Sequence, residues 1–274
     1  MAVAPAVAAR AEAALPEIVA GLGAIAELGV PVPALGVVVD DALTARELQV
    51  DLRGAPLGWA PVPDDASAAA LAAAVRAALA PAAFELLGID VVDAQLAAVA
   101  ATQPVLVRVV VPRRMTVAAL AELVRALVRE GVPVRDLAAV LEAVATAPAG
   151  AGDDRERLLE HVRTSLRRHI SGRWAPRGQL EVFTVDAMIE DAVRDAVDRR
   201  AGVAVLALAP DLARDIVGAV RRGVGAGRAV VLASGDVRSH LRALLEGELP
   251  DVAVLAAHEL SPGVVVRTAG RIEA

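Results

Sequence analysis

Glu130-Gly131-Val132-Pro133-Val134-Arg135-Asp136-Leu137-Ala138-Ala139-Val140-Leu141-Glu142-Ala143-Val144-Ala145 is the stretch on which the reading of this chain turns. Its first four residues stop a helix, because Pro133 has no N–H to donate and Gly131 tolerates conformations closed to other residues. Its second half starts another helix, with Leu137, Val140, Leu141 and Val144 one and two turns apart on a single apolar face. Upstream, Thr116 is placed to cap a helix whose stripe is Val117, Leu120, Val124 and Leu127. Downstream comes the loop Ala147-Pro148-Ala149-Gly150-Ala151-Gly152. Asp153 or Asp154 then caps a third helix carrying Leu158, Leu159, Val162 and Leu166. Short loops between such helices predict a compact antiparallel helical segment over residues 114–178.

On both sides the periodicity changes. Glu12 to Leu28 reads as a helix ended by Gly29 and the Pro31/Pro33 pair. Gly36 to Asp40 and Leu48 to Leu52 alternate as strands, with Arg53-Gly54 as a turn. Pro63-Asp64-Asp65-Ala66-Ser67 supplies caps for a helix from Ala68 to Leu87, and Val92 to Ala101 forms another. The β-branched run Pro104-Val105-Leu106-Val107-Arg108-Val109-Val110-Val111-Pro112 reads as the strongest strand in the chain. It is expected to rejoin the strands before the insert, so that residues 1–63 and 103–113 make one split α/β subdomain around a helical insert at 64–102. Beyond 178, strands at Leu180–Val185, Arg228–Ala233, Val252–Leu255 and Val264–Arg267 alternate with helices. One helix follows Asp186 and carries Met188, Ile189, Val193 and Val197; others run from Leu212 and from Ser234-Gly235-Asp236. That predicts a C-terminal α/β subdomain over 179–274, and an α+β fold of mixed subdomains for the whole.

Composition removes several functions. All 28 basic residues are arginine, which excludes a Schiff-base or phosphate-loop lysine. No cysteine is present, so thiol catalysis, disulfides and thiolate metal sites are excluded. The net charge of −6 argues against a nucleic-acid surface. Two Phe, two Trp and no Tyr leave little for aromatic recognition. The 56% hydrophobic content is high because of alanine, a helix former, and is read as compositional bias. The N-terminus lacks the pattern of a signal peptide, and no uninterrupted apolar run reaches membrane-spanning length, so a soluble cytosolic chain is expected.

Motifs that invite a catalytic reading fall short of it. Gly223-Val224-Gly225-Ala226-Gly227 follows a helix and precedes a strand, the reverse of a dinucleotide loop, and reads as a helix C-cap. His161 and His169 sit eight apart on one expected helix, and neither has the partner one turn away that a zinc helix needs. Asp64/Asp65 and Asp153/Asp154 stand at helix starts, where carboxylates offset the dipole. Ser234 lacks the flanking glycines of a nucleophile elbow. Arg155, Arg157, Arg163, Arg167, Arg168, Arg173 and Arg177, interleaved with Glu156 and Glu160, read as a solvated, salt-bridged face, with a subunit contact as the alternative. No catalytic, metal or cofactor site is expected.

Taken together, the motifs resemble the FlhA/SctV-type export-gate family of flagellar and type III secretion systems, in its C-terminal cytoplasmic domain. The 130–145 stretch is similar to that family's "EGVPIRDxxTILExLA" segment, and Met115 to Leu127 to the helix before it. His161-Val162-Arg163 with Leu166-Arg167-Arg168-His169-Ile170 resembles its "VRxxLxRxI" element. Phe84-Glu85-Leu86-Leu87-Gly88 resembles its "ELLG" helix end. Asp236-Val237-Arg238, Leu241-Arg242, Leu249-Pro250, Val254-Leu255 and Glu259-Leu260 follow its last domain in order. The resemblance implies four subdomains and a homo-oligomeric ring, a nonamer in the family, at the cytoplasmic face of the inner membrane. It implies chaperone–substrate complexes and other export-apparatus proteins as partners, and no enzyme activity.

Two departures stand beside it: no membrane domain accompanies the chain, and the stretch between Leu52 and Ser67 is shorter than the family's. The first leaves open an excised domain or a stand-alone relative, and the second puts the usual chaperone contact in doubt. The helical segment forms ring contacts in the family, so Arg135, Asp136, Glu142 and Arg163 become candidate subunit-interface residues. For Arg135 and Asp136 helix capping and local pairing remain an equal reading. Two other functions stay open at this point: a small-molecule-binding α/β protein using the turn at Gly223–Gly227, and an oligomeric scaffold no longer engaged in secretion.

Overall fold

A computed structural model describes residues 1–32, 34–62, 67–148, 154–200, 203–225 and 227–273. The chain divides into two compact units. One comprises Met1–Arg129 with Pro133–Ala138, the other Glu130–Val132 with Ala139–Ala274.

The first unit is built on a four-stranded sheet, β1 (Ala2–Val3), β2 (Val38–Val39), β3 (Glu47–Leu52) and β4 (Ala55–Pro61), in the order β2-β1-β3-β4. β3 and β4 form a two-residue hairpin, Leu52 pairing with Ala55. Arg53 (φ 53°) and Gly54 (φ 83°) both occupy the left-handed region that such a tight connection demands. Sequence periodicity misses β4 because Pro56, Gly58 and Pro61 break it; as the edge strand it needs no complete ladder. Helix α1 (Pro5–Gly21), which starts about two turns before Glu12, lies against α3 (Ala68–Leu79), and α3 covers β3 and β4. Alanine on these helices lets backbones come close: a Cβ on Gly58 would stand 2.1 Å from the Ala78 carbonyl oxygen. Helix α2 (Gly23–Glu27) follows α1.

Residues Ala68–Leu86 are long and apolar enough, with a mean hydropathy of 1.5, to pass for a membrane span. They instead break into α3, capped by the Ser67 hydroxyl, and a 3-10 stretch at Ala80–Leu86, with Leu71, Val75 and Leu79 in the core. Beyond them lie α4 (Ile89–Thr102), α5 (Pro104–Val110) and α6 (Val117–Arg129), which Thr116 caps through a 3.1 Å bond from the Ala119 N–H.

Helix α5 overturns the strand expected at 104–112. Pro104 stands at the helix start, where its missing N–H costs nothing, and α5 packs on α4. The run is apolar at nearly every position and so carries no period to separate strand from helix. In the helix, Leu106, Val107 and Val110 turn inward while Val105 stays 63% exposed. The partners of β3 are therefore β1 and β4, and no returning strand from 103–113 completes this sheet.

The second unit contains α8 (Arg155–Ser165), α9 (Arg167–Trp174) and a parallel sheet of β5 (Gln179–Val185), β8 (Ala229–Leu232), β9 (Val252–Leu255) and β10 (Val265–Ile272). The sheet order is β10-β5-β8-β9. Parallel neighbours require crossovers, and α10 (Ala187–Asp195), α11 (Pro210–Val224) and α12 (Arg238–Leu245) supply them. Their apolar faces meet the sheet in one core that includes Ile189, Val193, Ile216, Val220, Val231, Leu241, Leu245 and Ile272. Val197, expected to close α10, instead opens an antiparallel hairpin of β6 (Val197–Arg200) and β7 (Val203–Leu206). Gly225 ends α11 at φ 69°, the C-cap read from the glycine cluster. His161 and His169 fall on separate helices, because the backbone turns at Leu166 between α8 and α9. Asp64, Asp65, Asp153 and Ala226 lie outside the described residues.

Candidate functional site

The signature stretch joins α6 to α7 (Leu137–Thr146) through a fixed path. Gly131 adopts φ 72°, and Val132 and Val134 bury their side chains. The Val134 N–H donates to the Leu28 carbonyl at 2.8 Å, tying the turn to the end of α2. Gly29, at φ 86°, sits directly beneath: a Cβ there would come within 2.4 Å of the Arg135 nitrogen. Leu137, Val140, Leu141 and Val144 are all buried, as their spacing required. This anchoring leaves Arg135, Asp136 and Glu142 exposed. Arg135 and Asp136 belong to the first unit, Glu142 to the second.

Arg163 has a different fate. Its side chain is fully buried within the second unit, with Nε 2.5 Å from Glu259 Oε1 and Nη1 2.8 Å from Glu130 Oε2. For Arg163 the expected intersubunit contact is corrected accordingly, since this guanidinium is engaged inside the fold, whereas Arg155, Arg157, Arg167, Arg168 and Arg177 are exposed as a solvated face requires. Arg238, equally buried, pairs with the same Glu130 oxygen at 2.5 Å and forks onto Glu160 through Nη2 and Nε. Glu259 also receives the Ala256 N–H at 2.9 Å.

Two arginines and three glutamates thus form one network between α8, α12, the short turn Ala257–Glu259 and the residue after α6. Burial pushes the Glu160 carboxyl above its ordinary pKa, and Arg238 only partly offsets this. Burial alone would lower the Arg238 guanidinium; Glu130 and Glu160 more than reverse that and hold it above the usual arginine value. Nearby, Ser239 Oγ donates to Glu156 at 2.6 Å and Arg242 Nη1 donates to the Val252 carbonyl at 2.8 Å.

Sequence reading missed this network, although spacing carried a trace of it. Arg163 continues the stripe of Leu159, Val162 and Leu166, and Arg238 precedes Leu241, Arg242 and Leu245 on one face of α12. A cation on an apolar stripe needs a buried anion, and the partners of Arg238, Glu130 and Glu160, stand 108 and 78 residues away, as Glu259 stands 96 from Arg163. Ser234 is held as a turn residue, its N–H donating to Glu190 Oε1 at 2.7 Å and its Oγ to Oε2 at 2.5 Å. His161 Nε2 lies 3.1 Å from the Ala143 carbonyl. Among the described residues no three His, Asp or Glu side chains converge as a metal site would require.

Comparison with known proteins accords with this geometry. The chain is 30% identical over 176 residues to the flagellar biosynthesis protein FlhA of Bacillus subtilis, covering 62% of this chain and 26% of that protein. It therefore spans about a quarter of that relative's length. The Shigella flexneri MxiA structure superposes with a TM-score of 0.83 at 20% identity, covering 99% of this chain and 97% of that one. SctV-C of EPEC, solved as a nonamer, superposes with a TM-score of 0.74 at 18% identity over 98% and 94% of the two chains. The pattern of the FHIPEP family runs through residues 65–265, and the chain belongs to that family.

Proposed function

We propose that this chain is the cytoplasmic, ring-forming platform of a type III export gate, flagellar or injectisome, which docks chaperone–substrate complexes without catalysing a reaction. The observation that carries the reading is the exposed pair Arg135 and Asp136 beside the anchored Val134, in a chain whose fold matches, almost end to end, a domain solved as a nonamer. A ring needs a rigid surface repeated on each subunit, with charges set in a fixed register. Arg135, Asp136 and Glu142 offer such charges, and for Arg135 and Asp136 the buried Val134 and the contact with Gly29 reduce the entropy that a mobile loop would lose on contact. The ring contacts are assigned to the 114–178 segment and centre on those three side chains. Arg163, buried in the second unit's ion cluster, is left out of that surface.

Mass by light scattering across a concentration series tests this. Growth toward a large, defined assembly is expected as concentration rises. Arg135→Glu should weaken that growth about tenfold in concentration, the scale of one charge contact reversed. The melting temperature should stay unchanged, because Arg135 is exposed. Assembly by the variant identical to the parent would overturn the assignment of Arg135.

A further inference from the structure

One face of the C-terminal sheet is left bare along its first part. β10, β5, β8 and β9 run parallel throughout, and parallel sheets are ordinarily covered by helices on both faces. On β5, Leu180 and Val182 turn to one face and are buried, while Gln179 and Glu181 turn to the other and are exposed. Their register partners on β10, Val265 and Arg267, are exposed as well. Phe183, the next residue on that face, is half-buried against the core built by α10, α11 and α12. Those helices therefore cover the face only from Phe183 onward.

The bare part is a groove of about 760 Å³. Arg177 just before β5, Arg228 just before β8 and Arg267 on β10 line it, and Glu181 is the one carboxylate that does. All three arginines are exposed, and among the described residues none of them forms an ion pair. Arg173 also borders the groove but is already engaged, so it adds no free charge. Three arginines against one glutamate leave an excess of two positive charges on a chain of net charge −6. Such a patch on an acidic protein calls for an anionic counterpart. Phe183 and Trp174 add apolar surface to the same groove, and the Arg228 guanidinium lies 4.8 Å from the Trp174 ring centre. A guanidinium stacked on indole keeps its N–H edge free to fork onto a carboxylate.

We propose that this groove seats an amphipathic helix of a partner protein, its apolar stripe on Phe183 and its flanking Asp and Glu side chains against Arg177, Arg228 and Arg267. The N–H and C=O groups of a sheet lie in its plane, so this face offers side chains only. A segment lying across it must satisfy its own backbone, as a helix does. β10 and β8 flank β5, and two strand spacings come to about 10 Å, the width of a helix with its side chains. Carboxylates three or four positions apart stand together on one side of such a helix, where they can meet the arginines of one wall. Nucleic acid fits less well, since its dense phosphate charge exceeds what two cations on an acidic chain can offset.

Trp174 lines the groove and reports on it. The chain has two tryptophans, and Trp59→Phe leaves Trp174 alone. The probe is a capped peptide of about 20 residues, long enough to hold a helix in water, with Leu repeating on one face and Glu on either side of it. It is titrated into dilute full chain while Trp174 emission is followed. A saturable change is expected, weakened about tenfold by Arg267→Glu or Arg177→Glu, the scale of one charge contact. Both side chains are exposed, and an unchanged melting temperature confirms that each variant folds. The same peptide with Gln for Glu, or with a central Pro that breaks the helix, should fail. No response to the Glu peptide overturns the proposal, as does equal binding of the Gln or the Pro peptide. Equal or tighter binding of inorganic phosphate or oligothymidylate also overturns it, by showing a general anion site. If the peptide gives no response while Arg267→Glu lowers the mass of the concentrated chain, the face belongs to a second copy and the proposal falls. The titration is read on dilute chain, before assembly is expected, so failure of the platform reading leaves its outcome unaffected.

Discussion

Gly29 shows how one residue can position a functional segment. Its φ of 86° is open to glycine, and the space above it is filled by the backbone of Arg135. Gly29→Ala therefore faces left-handed strain of about 1–3 kcal/mol and a contact that only movement of the signature turn can relieve. The expected result is a lower denaturation midpoint, read from Trp59 emission in a Trp174→Phe background, because Trp59 belongs to the same unit. An unchanged midpoint would mean that the turn does not rest on Gly29 in solution. This glycine was legible as a helix stop, while its second role, admitting the Val134–Arg135 backbone, was not. Local sequence reports a residue's own conformation and is silent about what approaches it from 105 positions further along.

At the scale of elements, the buried ionic network decides how α8 and α12 meet. Removing one member leaves a buried charge without compensation, which costs about 3–5 kcal/mol. Arg163→Met should lower the Trp174-monitored midpoint accordingly, since Glu259 is completely buried and loses its closest cation. A loss below about 1 kcal/mol, the worth of an exposed pair, would show that water reaches the cluster.

Glu160 titrates with the opposite sense from an ordinary paired carboxylate. Its folded pKa is raised, so the folded state holds the proton more tightly. The stability it contributes is full below the ordinary carboxylate range and is lost as pH rises through the raised value. Glu160→Gln should remove that downward component from stability measured across mildly acidic pH, and an unaltered slope would refute the assignment. Helices and strands with a clean period were readable here, as the stripe from Leu137 to Val144 shows. Those that failed had lost their period: β4 to its prolines, α5 to an unbroken apolar run.

For the whole molecule, the ordered motifs conveyed the family and the mixed architecture, while the candidate surfaces were only half visible. Arg135, Asp136 and Glu142 are exposed. The buried network was not visible, because its members come from four separate segments and nothing in their spacing joins them, and this has a kinetic meaning. Glu130 and Arg238 lie 108 residues apart, and Arg163 and Glu259 lie 96 apart. Contacts that close loops of this size gain little until most of the intervening chain is already in place. The ion cluster is then among the last interactions to form and the first to be lost. Such late contacts set the lifetime of the native state more than the speed of reaching it. Slow unfolding is the property this arrangement would confer.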